Sequence, residues 1–566
     1  MKKKTIAVML LAAMQSAFAI QLIDGKYINF EDFVRETNEK VVNKNGLPDR
    51  DNEKGCRTID KYKWKCVSGT IYTRRYFTNA VLKKAFDKAR ELKGIGVYLP
   101  PGVWNFAEQI VVPHGMTLKG SYDRPHNVTE TDLSVDVQGG QMTVTWDKTD
   151  GTNIACSHGI NSQPADPLNL DQNACIALQG TATLDGVNVF YPEQSAPDEN
   201  SAFEPTPYSW TISCQRAVVV RSTNDGYFDT IPNLLARCSV MNTTLVNSYA
   251  GIDLSGANDH YIKGVNMTAF KEGIRVDGIT SQGAIEDVNI HHQFCLDYYK
   301  ITGNYAKEPV ATAKYNRIEA YILEHMVGME FGRVNWAWIS NVFIYKARRG
   351  FYFKRGIDGN TNFRAVPSVD IQNSGCDICV DAVYAEEINS AIGVNFSNSN
   401  LLGRIYTGPN NYGPIRITNS HLSFAVNLYS LTKLYDHRNM YDLSHVEVGE
   451  HTVMQITNSE IFEYVEDSNG IWCGSAFDVK GKLLIDNSAF AWPNLFGINF
   501  DQFVIGGIIL DPVDRFRVSD NAVLLASNLL IRGDNQLRVN STTTATVEIA
   551  HTAYDPLTSG YHPQAR

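Results

Sequence analysis

The chain has 566 residues, 43% of them hydrophobic and 20% charged, with a formal net charge of −10. The apolar content suffices for a large core, and the acidic balance excludes a nucleic-acid binder, which needs clustered Lys and Arg against phosphate. As ordinary domains the length suggests about three or four, whereas a repeat solenoid uses most of it as one unit.

The first residues, "MKKKTIAVMLLAAMQSAFA", place Lys2, Lys3 and Lys4 before a short apolar run and Ala17-Phe18-Ala19. This order predicts a secretory signal peptide over residues 1–19, cleaved after Ala19, and hence a secreted or periplasmic protein. The run is too short to span a bilayer, and no later segment reaches spanning length, so no transmembrane segment is expected. Loss of the three lysines takes the formal charge from −10 to −13. An acidic chain can still hold an anionic glycan in a local basic groove.

Ten cysteines, Cys56, Cys66, Cys156, Cys175, Cys214, Cys238, Cys295, Cys376, Cys379 and Cys473, suit disulfides in an exported chain. Cys56 with Cys66 and Cys156 with Cys175 are near enough in sequence to pair. Cys376-x-x-Cys379 reads as a structural thiol pair or short bridge, because no second CxxC or HxxxH accompanies it as a metal half-site would require.

Residues 20–76 form a polar N-terminal extension. In "TNAVLKKAFDKARELKG" (Thr78–Gly94), Val81, Leu82, Ala85, Phe86, Ala89 and Leu92 recur with helical spacing, and Thr78 or Asn79 can cap the start. Short β-type runs follow at Val97–Leu99, Gln109–Val112 and Met116–Leu118, broken by Pro-Pro-Gly and Pro-His-Gly turns.

Repeats dominate the rest. "GIDL" at Gly251 returns as "GIRV" at Gly273, and "GMEF" at Gly328 as "GFYF" at Gly350, each pair 22 residues apart. I-x-N-S recurs at Ile371, Ile417, Ile456 and Ile485, and Asn188, Asn266 and Asn289 close related units. Asn tolerates left-handed geometry in turns, and stacked coils can bond Asn to Asn along the axis. Such a period with short strands and no alternating helices predicts a parallel β-helix over residues 77–540, followed by a C-terminal cap or tail at 541–566. An insertion at about 293–326 carries a predicted helix in "YNRIEAYILEHM" (Tyr315–Met326).

The stretch "VYLPPGVWNFAEQIVVPHGMTLKGS" (Val97–Ser121), coming after a helix, resembles the first coils of the pectate-lyase-like and polygalacturonase-related right-handed parallel β-helix superfamily. The segment Ser248–Gly278 is similar to two consecutive core coils of polygalacturonases. That resemblance implies an all-β solenoid acting on polysaccharides. It does not carry the polygalacturonase catalytic set, because Ala250 and the pair Lys271-Glu272 stand where that family places Asp, and its Gly-His-Gly is missing.

Side chains alternate between the faces of a strand. Ile252, Leu254, Ile274 and Val276 therefore point inward, and Asp253, Arg275 and Asp277 outward. Glu330, Tyr352 and Lys354 continue the outward set. The ladder expected is Asp253, Arg275, Glu330, Tyr352, with Tyr298 level with Arg275, and His291 and His292 in the turn before it. Coils about 4.8 Å apart can present such a ladder to a linear glycan.

Hydrolysis needs two carboxyls, for which Asp253, Asp277, Glu272 and Glu330 are candidates, with Arg275 in the same catalytic set. Lys271, His291, His292, Tyr298, Tyr352 and Lys354 are candidate substrate-binding residues. A lyase or epimerase would instead use Arg275, Lys271, Tyr298 and the His pair for uronate neutralisation and α-proton transfer. Tyr191, Tyr208, Trp210, Trp336, Trp338 and Trp472 can stack on sugars or serve the core. No cofactor is expected; calcium stays open as an option, although the sequence shows no clear carboxylate cage for it. The reading reached is an exported polysaccharide-degrading enzyme, hydrolase before lyase, with a non-enzymatic carbohydrate-binding or adhesin solenoid as the second class.

Overall fold

The computed structural model describes residues 20–37, 56–60, 63–66, 71–73, 76–106, 108–126, 134–138, 141–145, 151–156, 158–164, 171–191, 194, 203–215, 220–222, 228–230, 237–294, 310–356, 367–424, 445–463, 477–491, 503–505, 508–510, 516–532 and 539–555. One large, almost wholly parallel sheet runs from Leu22 to Asp555. Each coil contributes three strands, and each strand pairs with its counterpart one coil on. Val369–Gln372, Gly375–Asp377 and Asp381–Ala385 form the first, second and third faces of one coil. They pair with Val394–Ser397, Asn400–Leu402 and Arg404–Thr407 of the next. The chain is thus a parallel β-helix, as the period requires.

Inward positions stack like with like. On the first face Ile371 lies under Phe396, then Ile417, Ile456 and Ile485, all buried. Each removes its apolar surface from water at about 25 cal/mol per Å2, so the core is one continuous apolar rod.

The bend from first to second face explains I-x-N-S. Asn373, Asn419, Asn458 and Asn487 have φ between 46 and 51°, the left-handed region that Asn tolerates better than β-branched residues. The following serine turns inward. Ser420 Oγ donates to Thr418 O at 2.8 Å and accepts the Ser399 N–H at 3.1 Å. Ser459 Oγ repeats this toward Thr457 O and the Ser420 N–H, and Ser488 Oγ toward Asp486 O and the Ser459 N–H. A buried serine row therefore satisfies amides that the bend removes from the sheet. The expected Asn-to-Asn bonds occur between Asn188 and Asn153, Asn289 and Asn266, and Asn487 and Asn458.

The repeated glycines sit where the chain turns onto the third face. A Cβ on Gly251 would lie 2.4 Å from Gly273 O, and one on Gly273 2.4 Å from Gly328 O. The backbones of neighbouring coils leave no room there for a side chain.

The capping helix, Asn79–Glu91 with Thr78 as N-cap, buries Val81, Leu82, Ala85, Phe86 and Ala89 as its spacing predicts. Tyr27–Asn29 already pairs with Gly96–Tyr98, so residues before the cap lay the first rung. Parallel pairing likewise continues to Asp555. The insertion helix spans Val310–His325, starting earlier than predicted.

Long connections gather at the corner between the second and third faces. They join Cys156 to Ile176, Phe190 to Trp210, His291 to Val327, Phe424 to Val446, Glu463 to Phe477 and Ala491 to Phe516. The expected Cys156–Cys175 disulfide closes the first of these, and Cys376–Cys379 forms a short bridge at the same corner. Cys214–Cys238 is a pairing that spacing did not suggest. Cys56 and Cys66 face each other in antiparallel register. Cys295 and Cys473 lie outside the described residues.

Candidate active site on the third face

Strand register builds two outward rows on the third face. One runs Ser213, Asp253, Arg275, Glu330, Tyr352, Tyr384, Tyr406, Glu447, Asp478, Arg517. The other runs Trp210, Ala250, Glu272, Val327, Arg349, Asp381, Arg404, three residues before the first row as far as Asp381 and two at Arg404, where the register shifts. The ladder expected from sequence is the centre of the first row. The strands hold it because Ile252, Ile274, Met329 and Phe351, all fully buried, pin the opposite face.

At that centre three carboxyls and two cations interlock. Arg275 Nε donates to Asp253 Oδ1 at 3.1 Å, and Ser255 Oγ donates to the same oxygen at 2.6 Å. The guanidinium also lies 4.6 Å above the Trp210 ring. Lys354 Nζ is 2.5 Å from Glu330 Oε1. Glu272 differs in having no ion pair among the described residues: it is as buried as its neighbours, at 8% exposed, and its Oε1 makes no hydrogen bond and faces no cation at ion-pair distance. Burial, and then the nearby Glu330 charge, push its carboxyl up to about 8, against the opposing pull of Arg275 and Lys354. Two of the three carboxyls are thus tied to cations, and the third is kept protonated at neutral pH.

The other candidates fall into different settings. Asp277 is 1% exposed, and its Oδ1 accepts the N–H groups of Gly278 at 2.6 Å and Arg333 at 2.8 Å. It braces the turn leaving the third face. Lys271 is half-buried at the corner, 5.7 Å over the Tyr249 ring and 3.3 Å from Gln163 Oε1. His291 ends a second-face strand and His292 follows it, away from the ladder. His291 stacks on Tyr345 with centroids 4.6 Å apart, and His292 Nε2 lies 2.8 Å from Glu319 of the insertion helix, which also holds Lys346 at 2.7 Å. Tyr298 lies outside the described residues, and Glu330 is the residue level with Arg275. Tyr191, Tyr208 and Trp210 are buried and Trp336 and Trp338 exposed, while Trp472 lies outside the described residues.

Sequence reasoning stopped the ladder at Tyr352. Beyond it Tyr384 stands 5.6 Å from Tyr352 edge-on, and Tyr406 stacks on Tyr384 at 4.7 Å. Arg404 donates from Nε to Asp381 at 2.7 Å and from Nη1 to Glu447 at 3.1 Å. The available signal was the coil period carried past residue 352. Beside the cluster, Phe203 packs on Phe270 and on Tyr321 of the insertion helix, with centroids at 5.1 and 5.5 Å, so this corner is covered. Among the described residues no group of three or more His, Cys, Asp or Glu has metal-ligating geometry.

No protein-family model matches the sequence, and no curated protein does. Several solved structures match the chain. DFA-IIIase from Arthrobacter chlorophenolicus A6, in complex with DFA-III, is 11% identical over 83% of this chain and 94% of its own, with a TM-score of 0.43. The catalytic domain of a GH87 alpha-1,3-glucanase, in complex with nigerose, is 10% identical over 86% of this chain and 68% of its own, with a TM-score of 0.33. At this identity no residue role passes from either protein to this chain.

Proposed function

We propose that this chain is an exported enzyme that hydrolyses glycosidic bonds of a linear glycan lying along the third face. The observation that carries the reading is the unequal carboxyl set: Glu272 buried and unpaired beside Glu330 and Asp253, which have cation partners. A glycosidase requires one protonated and one ionised carboxyl. Glu272 donates its proton to the glycosidic oxygen as the bond from that oxygen to the anomeric carbon breaks. Glu330, its charge compensated by Lys354, takes a proton from the water that attacks the carbon, or attacks it directly. Asp253 fixes Arg275 against Trp210, where the guanidinium faces the substrate. Export is supported by the leader-like N-terminus and the three disulfides among the described residues.

The test is digestion of acidic and neutral polysaccharides by the mature protein, following reducing ends and ultraviolet absorbance together. The reading expects new reducing ends without absorbance, and a loss of about 100- to 10,000-fold in kcat for Glu272→Gln. Both signals rising together would establish β-elimination instead. Binding that never shortens the polymer would establish a carbohydrate-binding solenoid.

A further inference from the structure

We infer that Arg349 forms a subsite for an anionic substituent, a carboxylate or a sulfate, on a glycan lying two coils from Glu272. The inference rests on the third face being a glycan-binding surface, as proposed above. Its basis is an imbalance of partners along the face. Arg275 is paired with Asp253, Lys354 with Glu330, and Arg404 with both Asp381 and Glu447. Arg349 has no carboxylate within ion-pair distance among the described residues, and its Nε is buried without a hydrogen-bond partner. Asp381 is its register neighbour on the next coil, but the Asp381 Oδ1 is taken by Arg404 Nε.

Arg349 is held in place by rings rather than by charge. Its Cζ lies 4.4 Å from the Tyr352 centroid and 3.9 Å from that of Tyr384. The Tyr352 hydroxyl donates to Glu386, which fixes that ring. A stacked guanidinium keeps its planar edge of N–H donors for a bidentate acceptor such as a carboxylate or sulfate. Val327 separates Glu272 from Arg349 in the same row. Two strand spacings put them about 10 Å apart along the axis. Because the whole chain is acidic at −10, diffuse attraction does not draw a polyanion to it, and retention requires a local site.

The experiment is affinity electrophoresis of the mature chain in native gels cast with polygalacturonate, alginate or dextran sulfate, with dextran and pullulan as neutral counterparts. At least one polyanion should retard the wild type. Arg349→Gln should weaken that retardation tenfold or more, Arg349→Lys should fall between, and Arg90→Gln on the exposed capping helix should change nothing. Retardation by the uronates alone would identify a carboxylate, and by dextran sulfate alone a sulfate. The inference is overturned if no polyanion retards the wild type, or if Arg349→Gln migrates like the wild type. Should Arg349→Gln melt below the wild type, Arg349→Lys and a Tyr384→Leu variant decide, since both must weaken polyanion binding. Glu272→Gln, which cannot donate a proton, must still be retarded. Loss of the hydrolase reading with retained Arg349-dependent binding would leave the subsite standing.

Discussion

Replacing Glu272 by Gln should reverse the alkaline loss of stability of this protein. In the folded chain the carboxyl is held at about 8, against an ordinary 4.5. Below pH 4.5 the group is protonated whether the chain is folded or not, and its ionisation costs nothing. Between 4.5 and 8 the unfolded chain has released the proton that the folded chain retains, so stability falls by about 1.4 kcal/mol per pH unit. The full interval gives a loss of about 5 kcal/mol, an upper bound because the charge is shared with Glu330 and two cations lie nearby. Above pH 8 the loss is complete and constant. Gln keeps the shape and removes the ionisation, so the variant should lack this slope and overtake the wild type as pH rises. Melting midpoints from pH 5 to 9 measure it. Because repeats unfold as neighbour-coupled units, hydrogen exchange at Ile274 and Met329 provides a local reading. Parallel pH curves for the two proteins would refute the reasoning, since they would mean that Glu272 ionises normally in the folded chain.

Three further outcomes are expected. Ser420→Ala should leave the buried Ser399 N–H without its acceptor and cost about 1–3 kcal/mol, measured by urea unfolding; an unchanged midpoint would mean the amide finds another partner. Gly273→Ala should destabilise by roughly 1–3 kcal/mol, because its Cβ would meet the Gly328 carbonyl at 2.4 Å and backbone cannot step aside; wild-type melting would contradict the corner geometry. Burial lowers His260 to about 4, and burial followed by the His421 charge lowers His445 to about 3. Their folded values lie below the ordinary 6.5, so stability should be complete above that pH and decline as pH falls from about 6.5, to about 4 for His260 and about 3 for His445. His445→Gln should flatten this acid limb, and an unaltered limb would show that His445 takes its proton freely.

The sequence made the solenoid readable because packing holds its inward positions to a rule. The glycines before Ile252, Ile274, Met329 and Phe351 mark backbones too close for a side chain, and Asn373, Asn419, Asn458 and Asn487 mark a bend that few residues tolerate. Packing places no such rule on outward residues. Asp253, Arg275, Glu330 and Tyr352 could be aligned because a glycine stands two positions before each, whereas Ala382 and Arg404 stand two positions before Tyr384 and Tyr406, so that marker is missing. Asp277 could be assigned to the outer side by alternation, but not to the backbone amides that hold it, since Arg333 lies 56 positions away. Likewise His291 and His292 fall just before the next third-face strand in sequence, yet the inserted helix separates them and draws His292 to Glu319.

The gathering of long connections at one corner has a consequence for how such a protein can change. A segment that leaves one rung and returns to the next can be lengthened, shortened or exchanged without altering the strands on either side, because each coil contacts only its neighbours. The stretch from His291 to Val327 is one such cassette, ending beside Glu272 and Glu330. Replacing it would change the connection that enters the Glu330 strand while leaving the carboxyls on their rungs. Descendants of this chain could thus move between polymers by trading connections at the corner, while the rungs beneath keep the spacing on which the chemistry depends.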